Sequence, residues 1–183
     1  MLQFALGFRQ KIGHWLNDRK PVQLHGFNGP ISAKKSVLIL CSLGNEQDRQ
    51  SMTLIKAEMR KLCPEASINI ACCYNKGSES AYNIISDEDV KYFSEERFSF
   101  FFRFRDTDLL HFLQRRRDIA VFLIKPDDVV ANFASNYVIA DLRVGMAKSE
   151  LDNIGFLNLC VSSESCKKGV IADIVGTLRM LFA

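Results

Sequence analysis

Asp118-Ile-Ala-Val-Phe-Leu-Ile124, the turn Lys125-Pro-Asp-Asp128, and the run from Val129 to Arg143-Val-Gly145 decide the fold. Ile119 to Ile124 is an unbroken apolar run. A strand of that kind cannot face water on either side, which places it in the middle of a parallel sheet. Asp127 or Asp128 can cap a following helix whose apolar face is Val130, Phe133, Ala134, Tyr137 and Val138. The spacing predicts that helix to about Leu142, with a new extended segment opening at Arg143. Together they form one strand-helix-strand unit.

Upstream, Val37 to Leu43 reads as a first core strand, followed by Gly44-Asn45 and a helix from about Glu46 to Leu62 with Met52, Ile55, Met59 and Leu62 on its apolar face. Ser67 to Tyr74 reads as a second strand after the Pro64 break. Within Ile84 to Val90, Ser86 can cap a short helix with Asp89 at the third position after it, and another helix starts at Thr107. Downstream come a strand over Ile154 to Val161 and a last helix carrying Val170, Ile171, Ile174, Val175, Leu178, Leu181 and Phe182, with Ser162, Ser163 and Ser165 as candidate caps. This alternation predicts a three-layer α/β fold with an open, mainly parallel, Rossmann-like sheet. Residues 36–183 form the single domain, and residues 1–35 an N-terminal extension.

The extension is basic. It holds Arg9, Lys11, Arg19, Lys20, Lys34 and Lys35 against Asp18 alone, which leaves 18 basic and 20 acidic residues in the rest of a chain whose net charge is +3. Met1, Phe4, Ala5, Phe8, Ile12, Trp15 and Leu16 recur at helical spacing, with cations toward the other side, so residues 1–20 are expected to form an amphipathic helix. Amphipathicity of this kind is what any packed surface helix shows, so packing against the domain or a partner protein is the expected role, with a membrane interface as the alternative. Pro21, Gly26, Asn28, Gly29 and Pro30 mark a linker.

Composition excludes several classes. With 48% hydrophobic and 25% charged residues in 183, the chain can bury a sizeable core without staples. No run reaches the roughly 18 apolar residues of a membrane-spanning helix, and no secretory signal pattern opens the chain. Cys41, Cys63, Cys72, Cys73, Cys160 and Cys166 lie in or beside apolar segments, and the adjacent Cys72-Cys73 makes a poor disulfide framework, so reduced thiols and a cytoplasmic location are expected.

Chemistry-bearing residues are few. In parallel α/β sheets ligands gather at the carboxyl edge. The candidate ligand-binding residues are therefore Ser42, Gly44 and Asn45 after the first strand and Lys125, Asp127 and Asp128 after the central one. A strand, a Gly-bearing turn and a helix N-terminus is also where phosphate sits. Here one glycine stands in place of a glycine-rich run, and Glu46 and Asp48 already complement the helix dipole, which favours ordinary capping. Asp87, Glu88, Asp89, Glu95 and Glu96 read as a solvated face.

His14, His25 and His111 lack zinc-ligand spacing, so no metal is expected; no cofactor is expected either. No serine elbow is present and no catalytic residue is assigned. Cys41, at the carboxyl edge, is the first thiol to test, although a buried inert thiol is the expected reading. Arg97-Phe-Ser-Phe-Phe-Phe-Arg-Phe-Arg105 with Arg115 to Arg117 has the composition of a nucleic-acid surface. It departs from the RNA-recognition pattern, and an aromatic packing strand explains the same residues, so nucleic acid is not the expected partner.

Tyr92-Phe-Ser-Glu-Glu96, Arg117-Asp-Ile-Ala-Val-Phe-Leu123 and Tyr137-Val-Ile-Ala-Asp-Leu-Arg-Val-Gly145, in this order behind a basic leader, resemble a family of small bacterial proteins known only as a domain of unknown function. Where that pattern carries an acid at the end of the central strand, this chain has Lys125. The arrangement is more distantly similar to the N-terminal Rossmann-like half of heptosyltransferase-type glycosyltransferases, in which a second domain binds the nucleotide sugar. A chain of this length is not expected to hold that second domain. The functional expectation is a non-enzymatic or accessory cytoplasmic α/β domain, peripheral to the inner membrane if residues 1–20 bind lipid. The alternatives are a small-ligand or nucleotide-sugar-like binding domain, and nucleic-acid binding through 97–117.

Overall fold

Ser36–Leu43 forms β1, and every residue from Val37 onward is buried. A strand closed off on both faces belongs inside a sheet. In the computed structural model, which describes residues 30–74, 88–99, 104–125, 127–146, 157–161 and 167–181, β1 lies between two parallel neighbours. On one side β2 (Ser67–Tyr74) pairs in register from Ser36 opposite Ser67 to Leu43 opposite Tyr74. On the other, β4 (Arg117–Leu123) pairs from Val37 opposite Ile119 to Cys41 opposite Leu123. β3 (Val90–Phe93) flanks β2, β5 (Ala140–Met146) flanks β4, and β6 (Leu159–Val161) lies beyond β5. All five pairings are parallel and the order is β3-β2-β1-β4-β5-β6, that of doubly wound dinucleotide-binding sheets.

The chain winds outward to β3 and then returns to lay β4 beside β1, so the strand order reverses between those two strands.

Four helices among the described residues cover the sheet. Alternate side chains of a strand face opposite ways. Val37, Ile39 and Cys41 therefore meet α1 (Glu46–Leu62) and α4 (Lys167–Leu181) through Ile55, Met59, Ile171 and Ile174. Leu38 and Leu40 meet α2 (Thr107–Gln114) and α3 (Val129–Ser135) through Leu109, Leu113, Ala131 and Phe133. Each fully buried aliphatic side chain contributes about 1.5–3 kcal/mol. The three-layer, open parallel architecture expected from the sequence is the one formed.

Several boundaries differ. The helix after the central strand ends at Ser135 rather than near Leu142, and β5 opens at Ala140. Ala140 must be extended because it pairs with Arg117, whose N–H donates to Ile139 O at 2.9 Å. Between them the chain tightens: Tyr137 N bonds Ala134 O and Val138 N bonds Ser135 O, each three residues back. Tyr137 and Val138 are buried as expected, but from a turn. Val90 belongs to an edge strand, with Ile70 N bonded to Asp89 O; Ser86 lies outside the described residues.

The two described ends of the segment from Arg97 to Arg105 lie side by side: Phe98 bridges antiparallel to Phe104, and Arg105 N bonds Arg97 O. Phe98 and Phe104 stack at 4.3 Å, and Phe104 meets Tyr137 edge-on at 4.7 Å. Arg97 pairs with Asp106 and Arg116 with Asp141. Arg117 is 1% exposed, and burial, with the nearby Arg115 charge, pushes its guanidinium down to about 10. The expected helix over residues 1–20 and the caps at Ser162, Ser163 and Ser165 lie outside the described residues.

Asp118 ties the start of β4 to the start of β1. Its Oδ2 accepts from Lys35 N at 2.8 Å, Ser36 N at 2.9 Å and Ser36 Oγ at 3.0 Å, while Asp118 N donates back to Ser36 Oγ. Burial pushes this carboxyl up, and the bonds from Lys35 and Ser36, with the Lys34 charge, outweigh it and hold the group below its ordinary value. A carboxyl depressed on folding contributes stability above its unfolded pKa of about 4, and loses it as pH falls through the folded value. Asp118→Asn is expected to cost about 1–2 kcal/mol in urea unfolding at pH 7, with the gap to wild type closing as the pH is lowered below 4.

Candidate functional site

The turn after β1 is built around a carboxylate. Asn45 caps α1, its side chain accepting from Asp48 N at 2.9 Å. Asp48 Oδ2 accepts in return from Gly44 N at 2.8 Å and Asn45 N at 3.2 Å, a reciprocal capping box. Asp48 is 5% exposed and pairs with Lys125 Nζ at 2.7 Å across the point where the strand order reverses. The Lys125 backbone N–H donates to Ser42 Oγ at 3.1 Å. Three of the six sequence candidates, Gly44, Asn45 and Lys125, therefore converge on Asp48, and a fourth, Ser42, holds the Lys125 backbone.

Gly44 is small for a local reason: a Cβ there would lie about 2.5 Å from Lys125 Nζ and 3.4 Å from Asp48 Oδ2. In nucleotide-binding sheets of this strand order, the N–H groups of the first strand-to-helix turn hold a phosphate. Here they hold the protein's own carboxylate.

Beside this ion pair lies a cavity of about 170 Å³. The ends of β1 and β4 contribute Cys41, Ser42, Leu123, Ile124 and Lys125; α1 contributes Asp48, Ser51 and Met52; β5 and α4 contribute Met146, Val170 and Ile171. An engineered apolar cavity of about 150 Å³ takes a benzene-sized molecule, so this space matches one ring or a short chain. Its walls are mainly apolar. The Lys125 side chain is 31% exposed, so this ammonium combines a buried partner with solvent access.

Of the six sequence candidates Ser42 and Lys125 line the cavity, and Gly44, Asn45, Asp127 and Asp128 do not. Asp127 is exposed, and Asp128 caps α3, accepting from Ala131 N at 2.9 Å and from Cys73 Sγ at 3.5 Å in the opposite layer. Cys41, which does line the cavity, lies with Sγ 3.1 Å from Cys72 Sγ. The hydrogen bond to Cys72, then burial, then the Cys72 and Asp128 charges push the Cys41 thiol well above the usual range. Burial and Asp128 do the same to Cys73. Thiols held protonated in this way are poor nucleophiles. His111 is exposed on α2, His14 and His25 lie outside the described residues, and among the described residues no three His, Cys, Asp or Glu side chains gather as a metal site. No described helix is long and apolar enough to cross a membrane.

An open, parallel, doubly wound sheet with a walled crevice at its strand-order reversal makes this a Rossmann-like domain. Residues 10–166 match the model of a family of unknown function (DUF6913), and the chain belongs to that family. No curated protein and no solved structure matches it.

Sequence reasoning missed the central role of Asp48, reading it only as a first-turn acid, and missed Ser51, Met146 and the α4 wall. The spacing Asn45-Glu-Gln-Asp48 was the available signal, since an acid three residues after a cap reaches back to the turn's N–H groups. Asp48→Ala, which leaves two N–H groups and an ammonium without their acceptor, is expected to cost about 2–3 kcal/mol. Gly44→Ala need only displace the flexible end of Lys125 and is expected to cost less than about 1 kcal/mol, near the median for a partly exposed ion pair; urea unfolding of both variants checks the contrast.

Proposed function

We propose that this chain is a non-enzymatic binding domain holding a small, largely apolar acid in the crevice between β1 and β4. The apolar part would fill the space beside Met52, Leu123, Met146 and Ile171, and the acid would meet Lys125 at the rim. The observation that carries the reading is an apolar cavity of about 170 Å³ with a partly exposed ammonium on its wall. An ammonium has three donors, and Asp48 takes one of them. Buried polar groups at a few points in apolar walls are the ordinary composition of a ligand site.

A nucleotide-sugar site, as in half of a glycosyltransferase, is the second reading, favoured by the strand order alone. It is weaker because the Asp48 carboxylate stands where the diphosphate would bind and would repel it. We propose a cytoplasmic location, supported by Cys41, Cys63, Cys72 and Cys73 forming no disulfide with one another, and a bacterial one from the resemblance given above, with residues 1–20 as the segment that meets a membrane surface or a partner protein.

A thermal-shift panel separates the two site readings. Benzoate and hexanoate are expected to stabilise the protein more than benzyl alcohol and hexanol, and Lys125→Met is expected to abolish that preference. At 100 times the dissociation constant a ligand adds about 2.7 kcal/mol, a rise of roughly 5–10 °C for a domain of this size. Stabilisation by nucleoside diphosphate sugars in place of the acids would overturn the reading, and so would no response from any member.

A further inference from the structure

β1 and β2 run parallel and in register, which sets Cys41 opposite Cys72. Opposed residues of a parallel pair point to the same face, and the two thiols meet at 3.1 Å between sulfurs. Met52 comes down from α1 onto the same spot, its Sδ 3.1 Å from Cys72 Sγ. Three sulfurs therefore lie together beneath the crevice, and two of their owners, Cys41 and Met52, form part of its wall. The surroundings are otherwise the apolar layer of Ile39, Ile55 and Ile70.

A disulfide is the poorer use of this geometry. Neighbouring strands are about 4.7–4.9 Å apart, so in-register Cβ atoms of a parallel pair sit near that separation, beyond the roughly 3.5–4.5 Å that a disulfide spans. It would also give Met52 no part. A metal ion suits the arrangement better. Metal–sulfur bonds of about 2.3 Å in a trigonal plane set the sulfurs about 4 Å apart, which the side chains reach by opening about 1 Å. Two thiols and a thioether, with no imidazole or carboxylate among them, are a soft ligand set, and such sets select Cu(I) over the harder divalent ions.

We propose that Cys41, Cys72 and Met52 form a site for one soft monovalent metal ion, Cu(I), reached through the crevice. On binding, the two S–H bonds break, both protons pass to solvent, two metal–thiolate bonds form and the thioether donates a lone pair; no electron is transferred. The complex carries one net negative charge. The hydrogen bond to Cys72 and burial keep the Cys41 thiol protonated until a metal displaces its proton. The site does not depend on the organic-acid reading. Lys125→Met removes the preference for acids and leaves the three sulfurs, whereas Cys72→Ala removes a metal ligand that is not part of the crevice wall.

Anaerobic titration with Cu(I) against the chelator bicinchoninate tests the site, in a Cys160→Ser, Cys166→Ser background that removes two competing thiols. One equivalent per chain is expected, with an all-sulfur first shell by X-ray absorption. Cys72→Ala is expected to weaken binding at least 100-fold and Met52→Leu about 10-fold. Both replacements keep the site apolar, so the protein remains testable where a serine would disturb folding. Unchanged affinity in the Cys41→Ala, Cys72→Ala double variant would overturn the proposal. So would nitrogen or oxygen in the first shell, or no retained equivalent in the presence of the chelator.

Discussion

The Asp48 carboxylate joins the two halves of the sheet where their winding reverses. Its Oδ2 takes the Gly44 and Asn45 N–H groups of the first strand-to-helix turn and the Lys125 ammonium arriving from the central strand. Such a turn is an anion site by construction, because unpaired N–H groups and the helix dipole both point into it. Supplying the anion from within satisfies the turn without a ligand. It also orients Lys125, so that the end of β4 is held against the start of α1 and the crevice between them keeps its walls.

This arrangement changes what the strand order implies. A β3-β2-β1-β4-β5-β6 sheet is a common dinucleotide scaffold, but fold alone does not establish function, and here the decisive turn is occupied by the chain itself. On the binding reading proposed above, the space for a ligand is the apolar cavity beside the turn, with the partly exposed Lys125 as its cation. The sulfur trio belongs to the floor of the same region, so a ring-sized acid and a soft ion would enter by one route.

The interior of the sheet was legible in the sequence for a physical reason. β1, α1 and β2 are long and either apolar throughout or strongly periodic, and the expected helix limits, Glu46 and Leu62, are those observed. β3 was not legible, because Val90-Lys-Tyr-Phe93 is four residues with a polar member and too short to show a period. The helix after β4 was overextended since Tyr137 and Val138 fall on the helical period while lying in a tightened turn. The carboxyl-edge rule picked out Ser42, Gly44, Asn45 and Lys125, which the structure gathers around the turn that Asp48 holds. Asp128 caps α3, which turns it into the other layer, beside Cys73. The Cys41–Cys72 contact depends on strand register, which one sequence does not display.

The most direct test of Asp48 as a built-in anion is phosphate binding by Asp48→Ser, followed by thermal unfolding in increasing inorganic phosphate at constant ionic strength. Removal of the carboxylate leaves the Gly44 and Asn45 N–H groups and the Lys125 ammonium facing an empty anion position. The variant is expected to start below wild type and to be raised by phosphate in a saturable way that Lys125→Met removes, while wild type does not respond. Equal, saturable stabilisation of wild type and variant would contradict the account, as would a variant that phosphate does not stabilise.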